Sequence, residues 1–517
     1  MMKMLKKQFN FAGCADVYNR IRDCAGKHSN LIYWIVVSLV LFCYFLLNFN
    51  AAMQKGGRWD LNQHLAMADR FLQGNGFYYS AAEASTPYFP GVGFLSVFVG
   101  WIFGGARDTV MLILASLIGT AFMYVLVYIA TTFTGHRWFS LFLVSIVLFS
   151  GFDTYKFYMN EFKADSLVLI YAFLLILLIV KIEGDSETIQ KRHVVFMFLI
   201  SFLMDITKQQ ALYVDFALGL YIVFSRRLNV RKKLISFASM VSGGIASLIV
   251  MLPISGFWLL TIDNLNKMPW WDSDHILDDL SDVFSEYKIG YFAVIMLLFL
   301  VAIKVVKLHS EHIMWLLVSL LFMIGQFAGG MKIGGNSGNY QVGIVSFTPF
   351  FVIFAYEVVR FFVKDSRQMF ITGGLFVIMV LRIQDAFGKN PIGDFGLRQA
   401  TVSQSAEYLS KHYAGKCCMY DSDHYMMISE SECVAGMDIY TVPYYTDEHA
   451  KDLENALIQK TYPVLVVNQW DLKEMDRVAI TCFNRDSNIY KVLMENYEIE
   501  NGEDIPPELR NRIYVAK

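Results

Sequence analysis

Long apolar stretches dominate the chain, and their length sets the first reading. A helix spanning a bilayer needs about 20 mostly apolar residues, because backbone polar groups in hydrocarbon must pair within the segment. Stretches of this kind lie at 31–50, 107–133, 137–153, 165–181, 194–207, 210–225, 234–260, 289–307, 312–330, 340–363 and 368–385. Eleven spans are therefore expected, with 194–207 and 210–225 the shortest pair. The first run, LIYWIVVSLVLFCYFLLNF, follows a basic head and has no small-residue cleavage signature after it, so it reads as a retained anchor. Past residue 386 the runs stop, and shorter alternating and helical patterns replace them.

Composition agrees with the pattern. The 517 residues are 55 % hydrophobic and only 17 % charged, with a mean hydropathy of +0.41, whereas soluble domains carry about 25 % charged residues. Forty-four basic against 46 acidic residues leave a net charge of −2, without the basic excess of a nucleic-acid-binding protein. Seven cysteines make neither a disulfide framework nor a CxxC metal spacing.

Basic residues in short loops set the orientation. Lys3, Lys6, Lys7, Arg20, Arg22 and Lys27 place segment 1–30 in the cytoplasm, and Arg226, Arg227, Arg231, Lys232 and Lys233 mark the strongest inside loop. Loop 261–288 holds seven acids against two lysines and falls outside. The apolar run 88–104 reverses every later loop if it is counted as a span. It is therefore read as re-entrant or interfacial, with the N-terminus inside and the C-terminus outside.

This orientation gathers unusual polar segments on the outer face: the first loop 51–106, YMNEFKADS at 158–166, DITKQQ at 205–210, the acidic loop, and GGMKIGGNSGNY at 329–340. Ionisable groups at membrane depth are costly and by default face a functional cavity. In the first loop, Leu61, Leu65, Ala68 and Leu72 form an apolar helical stripe, opposite Asn62, Gln63, Asp69, Arg70 and Gln73. Gly74-Asn75-Gly76 stops this helix, which is expected to lie on the outer surface. Asp60 opens it, with His64 one turn later. Asp60 and Gln63 fit a capping box, and a capping carboxylate ionised at neutral pH can still act as a base.

The pattern D-x3-H-x3-A-x3-L-x-G-x2-F-Y (Asp60, His64, Ala68, Leu72, Gly74, Phe77, Tyr78), followed by Tyr88-Phe89-Pro90, resembles the first external loop of GT-C-type membrane glycosyltransferases. These include protein O-mannosyltransferases and the aminoarabinose transferase acting on lipid A. Glu161-Phe162-Lys163-Ala164-Asp165-Ser166, Thr207-Lys208-Gln209-Gln210 and Lys332 to Tyr340 resemble later motifs of the group, so the likeness covers roughly residues 30–385. The resemblance implies transfer of a sugar from a polyprenyl-phosphate carrier to a glycan, lipid or protein acceptor on the external face. Its base role maps onto Asp60. Many members carry adjacent acids there, whereas this chain has Trp59-Asp60, so no metal and no other cofactor is expected.

A departing glycosyl phosphate needs cations in a site of low dielectric. Lys55, Arg58, Lys163, Lys208 and Lys332 are the external candidates, and Lys208, between two apolar helices, needs an anionic partner: the phosphate, Asp205 or Asp165. Arg58 also suits an interfacial snorkel. His64, Tyr88, Glu161, Asp165, Gln209, Asn336 and Asn339 are candidate substrate contacts, although a Gly/Asn turn also accounts for the two asparagines. Tyr88, Trp270 and Trp271 suit sugar stacking and membrane interfaces alike.

Segment 386–517 has 21 acids and 13 bases and reads as a small soluble α/β domain. Its elements are helices at 406–413 and 445–460, a buried strand at 461–469 and a strand end at 417–423. Cys418–Cys433 is one conceivable bridge outside the cytoplasm. Asp421, Asp423 and His424 are expected to form a solvated polar turn rather than a metal site. The resulting expectation is an all-α multi-pass bundle of about 11 helices (31–385) with a soluble α/β C-terminal domain, set in a bacterial inner membrane, with endoplasmic reticulum as the alternative. A flippase for lipid-linked saccharides, and a polysaccharide polymerase or ligase, are the competing functions. A carrier would show internal repeats, and none is visible.

Overall fold

The computed structural model describes residues 29–55, 59–74, 76–77, 89–151, 164–184, 189–258, 270, 273–281, 310–332, 337–362, 368–390, 397–421, 424–438, 447–469, 473 and 488–517. The membrane part contains α1 (Ser29–Lys55), α2 (Trp59–Leu72), α3 (Gly91–Phe103), α4 (Arg107–Thr134), α5 (Arg137–Ser150), α6 (Ala164–Gly184), α7 (Lys191–Thr207), α8 (Ala211–Phe224) and α9 (Val230–Met251). After these come α10 (Ser310–Gly330), α11 (Ser337–Val345), α12 (Thr348–Phe362) and α13 (Gln368–Lys389). Among the described residues six helices, α1, α4, α6, α9, α10 and α13, are long and apolar enough to cross a membrane. The expected span 289–307 lies outside the described residues.

Two expected spans are interrupted. Segment 340–363 breaks into α11 and α12 because Pro349 has no N–H to give the Val345 carbonyl. The Thr348 hydroxyl bonds that carbonyl instead, at 2.7 Å. Helix α9 ends at Met251, inside the expected span 234–260. Helix α3 has 13 residues, about 20 Å at 1.5 Å per residue, short of the ~30 Å hydrocarbon layer. That length suits a re-entrant or interfacial segment.

One buried cluster joins α1, α4, α5, α6, α8 and α10, with Trp315 packed edge-on against Phe173 and Phe133. Small residues allow close helix crossings: a Cβ on Gly243 of α9 would lie 2.6 Å from the Phe198 carbonyl of α7. Glycine at such a crossing lets backbones meet where no side chain fits.

The C-terminal part contains α14 (Leu397–Tyr413), β1 (Cys417–Tyr420), α15 (Tyr425–Ser429), β2 (Val434–Asp438), α16 (Asp447–Ile458), β3 (Val464–Val466), α17 (Ile489–Asn496), β4 (Tyr497–Ile499) and β5 (Ile513–Ala516). They form one sheet of order β2-β1-β3-β5-β4, parallel across β2, β1 and β3 and antiparallel at β5 and β4. Leu61 and Leu65 of α2 share a buried cluster with Leu409, Tyr425, Ile428, Val464 and Val466, so this sheet and the first loop occupy one side of the molecule.

That packing corrects two expectations. Helix α2 does not lie on a surface with its polar face in water: Asn62 and Gln63 are buried along with Leu61 and Leu65, because α3 and the C-terminal part both pack against it. Asp421 and His424 are not a solvated turn either; both are fully enclosed. Arg512 donates to His424 Nε2 at 3.1 Å, so the ring proton sits on Nδ1 and is given to Asp421 Oδ1 at 2.5 Å. The other Asp421 oxygen accepts the Asn468 N–H. The carboxylate thereby joins the loops that leave β1 and β3.

Candidate active site

The site is built around a break between two helices. Helix α7 ends at Thr207, and Lys208 is extended (φ −161°, ψ 146°) before α8 begins at Ala211. The ammonium therefore belongs to the carbonyl end of α7, where the helix dipole favours positive charge. Helix α3 holds this break: a Cβ on Gly91 would fall 2.7 Å from the Ile206 carbonyl, so only glycine fits there.

Lys208 Nζ donates to Asp165 Oδ2 at 2.5 Å, and Gln326 Nε2 donates to Asp165 Oδ1 at 2.6 Å. Asp165 lies in the first turn of α6, where the dipole favours an anion. Of the two protein carboxylates open to Lys208 from the sequence, the structure selects Asp165. The extended backbone at Lys208 turns away from α7, which carries Asp205.

His64 is fully buried and within electrostatic reach of both Asp60 and Lys208. Burial pushes its pKa down to about 4, Lys208 adds to the depression and Asp60 opposes it. The imidazole is thus neutral at physiological pH. Asp60 is half-buried in the first turn of α2. The helix starts at Trp59, so Asp60 stands inside it rather than before it, unlike the cap residue of a capping box.

Of the remaining candidates, Gln209 and Gln210 form the turn between α7 and α8. Asn339 belongs to α11, and its Nδ2 would lie 3.2 Å from a Cβ on Gly329 of α10. Lys332 follows α10, bridges through its backbone to Trp270 and holds its ammonium 5.8 Å from that indole ring. Burial lowers its pKa. Asp60, His64, Lys208 and Asp165 are neighbours in turn, and Asn339 lies beside Gly329. Arg58, Tyr88, Glu161, Lys163 and Asn336 lie outside the described residues, as does Trp271.

Gln326 was not among the residues expected from the sequence, and Gln210 entered only as the last residue of the Thr207-Lys208-Gln209-Gln210 motif. Gln326 had a signal, as a lone amide in the apolar run of α10. Among the described residues no group of three His, Cys, Asp or Glu side chains is placed to hold a metal ion.

The rim is fastened by Asp69 of α2. It pairs with Arg107 of α4 and accepts a hydrogen bond from the Tyr425 hydroxyl of α15. Arg107 also donates to Asp108 at 2.8 Å.

No protein-family model matches the chain, and no curated protein sequence does. Solved structures do. ArnT from Cupriavidus metallidurans bound to undecaprenyl phosphate aligns with a TM-score of 0.54 at 9 % identity, over 95 % of this chain and 98 % of that one. The chain has the GT-C-type fold. The oligosaccharyltransferase of Archaeoglobus fulgidus, in complex with zinc and sulfate, aligns with a TM-score of 0.50 at 9 % identity, over 89 % of this chain and 71 % of that one. The GT-C-type architecture thus extends over the membrane helices and the C-terminal sheet.

Proposed function

We propose that the protein is a membrane glycosyltransferase that moves a sugar from a polyprenyl-phosphate carrier to an acceptor on the extracytoplasmic face. The observation that carries this reading is the meeting of half-buried Asp60 with the buried His64, Lys208 and Asp165 at the break between α7 and α8. In the reaction the acceptor hydroxyl oxygen forms the new bond to the anomeric carbon as the bond from that carbon to the phosphate oxygen breaks. Asp60 takes the hydroxyl proton. Lys208 exchanges Asp165 for the phosphate and neutralises the charge that develops on it, and the polyprenyl phosphate leaves. Attack opposite the leaving group inverts the anomeric centre. The fold likeness, which includes a structure bound to undecaprenyl phosphate, supports a lipid-borne donor.

The test uses the full chain in lipid nanodiscs with a panel of polyprenyl-phosphate sugars and a lipid or glycan acceptor. The wild type is expected to consume one of these donors, and Asp60→Asn to abolish transfer with thermal unfolding and membrane insertion unchanged. Full activity in Asp60→Asn removes the base assignment.

A further inference from the structure

We propose that Gln210 and Gln326 read the sugar of the donor, each amide oxygen accepting a hydrogen bond from a hydroxyl of the carrier-linked hexose or pentose. The inference rests on the glycosyltransferase reading and adds residues that its chemistry did not require.

The argument begins with orientation. Gln326 is 0 % exposed and Gln210 is 7 % exposed. A carboxylate can only accept, so the end of Gln326 facing Asp165 must be its nitrogen. Its carbonyl oxygen is therefore directed elsewhere, and neither that oxygen nor Gln210 Oε1 has a donor among the described residues. Buried carbonyl oxygens are normally satisfied, and a specific exception calls for a partner.

The two amides belong to one place. Gln326 and Gly329 are three residues apart on α10, hence on one face. A Cβ on Gly329 would sit 3.3 Å from Gln210 Nε2 and 3.2 Å from Asn339 Nδ2. The absence of a side chain at 329 leaves Gln210 room beside Gln326 and the Lys208–Asp165 pair. A phosphate brings only acceptors and cannot satisfy these oxygens, whereas sugar hydroxyls supply donors beside the cation that holds the phosphate. Sites that hydrogen-bond a substrate hydroxyl also discriminate strongly against analogues lacking it.

The experiment separates sugar from carrier. Binding to the full chain in nanodiscs is measured with undecaprenyl phosphate alone and with the same carrier bearing mannose, glucose, galactose or 4-amino-4-deoxyarabinose. The wild type should bind one sugar-bearing carrier more tightly than the bare one. In Gln210→Met, which keeps the length and removes the oxygen, that advantage should fall by about tenfold, the loss of one good hydrogen bond, while bare-carrier affinity stays within about twofold. Gly329→Ala, which crowds the Gln210 amide, should reproduce the selective loss. An undiminished sugar advantage in both variants overturns the inference and leaves water as the occupant, with the glycosyltransferase reading intact. A wild type that binds no carrier overturns that reading and this one together.

Discussion

Lys208 and Asp165, 43 residues apart, meet at 2.5 Å with side chains 9 % and 6 % exposed. Removing one member of such a pair leaves an uncompensated buried charge, at a cost of about 3–5 kcal/mol. Asp165→Ala should therefore lower the unfolding free energy by about that much, and adding Lys208→Met should recover a large part of it. A double-mutant cycle by thermal or denaturant unfolding measures the coupling; strictly additive losses would mean that the two charges do not depend on one another.

His64 makes stability pH-dependent with a defined sign. Its folded pKa is about 4 against 6.5 for the free side chain, so between those values the unfolded chain binds more protons and stability falls as pH falls. The effect is on the order of 3 kcal/mol, complete only below about pH 4. Unfolding curves from pH 7.5 to 4 should show this loss in the wild type and a shallower one in His64→Asn. Identical slopes would place the depressed titration elsewhere.

Tyr425 and Arg107 share the Asp69 carboxylate, and the two contacts should differ in weight. Tyr425→Phe removes one donor from Asp69 and should cost about 1–3 kcal/mol. Asp69→Asn strips the partly buried Arg107 of one of its two carboxylates and should cost more. Limited proteolysis across 397–517 is the readout: cleavage should rise modestly in the first variant and steeply in the second.

In the sheet, successive side chains of β1 point to opposite faces. Cys417 lies against Gly436, whose added Cβ would be 2.8 Å from its sulfur, while the Cys418 and Cys433 thiols are close enough to perturb one another. That contact pushes the Cys433 thiol down to about 7 and the Cys418 thiol up. Oxidised glutathione should therefore join Cys418 and Cys433 by two exchanges, in each of which glutathione thiolate leaves. Non-reducing peptide mapping should find this bridge in the wild type and in Cys417→Ser, and no bridge to Cys417 in the wild type.

The legible parts of this molecule were those set by neighbouring residues. Apolar run lengths located α1, α4, α6 and α10 to within a few residues, and the Leu61, Leu65, Ala68 spacing located α2. The fate of Asn62 and Gln63 was not legible, because it depends on α3 and on the C-terminal part, more than three hundred residues on, both packing against α2. Asp421 and His424 read as a wet turn for the same reason: their partners, Asn468 and Arg512, lie 47 and 88 residues on. The partner of Lys208 stayed ambiguous because Asp205 is three residues away on a helical count, and only the backbone break at Lys208 makes that count irrelevant.

The contact between Asp69 and Tyr425 imposes an arithmetic on the chain. Residues 69 and 425 lie in the same aqueous compartment, so the polypeptide must traverse the bilayer an even number of times between them. Counting Gly91–Phe103 as one more passage breaks that parity unless a second passage is added or lost.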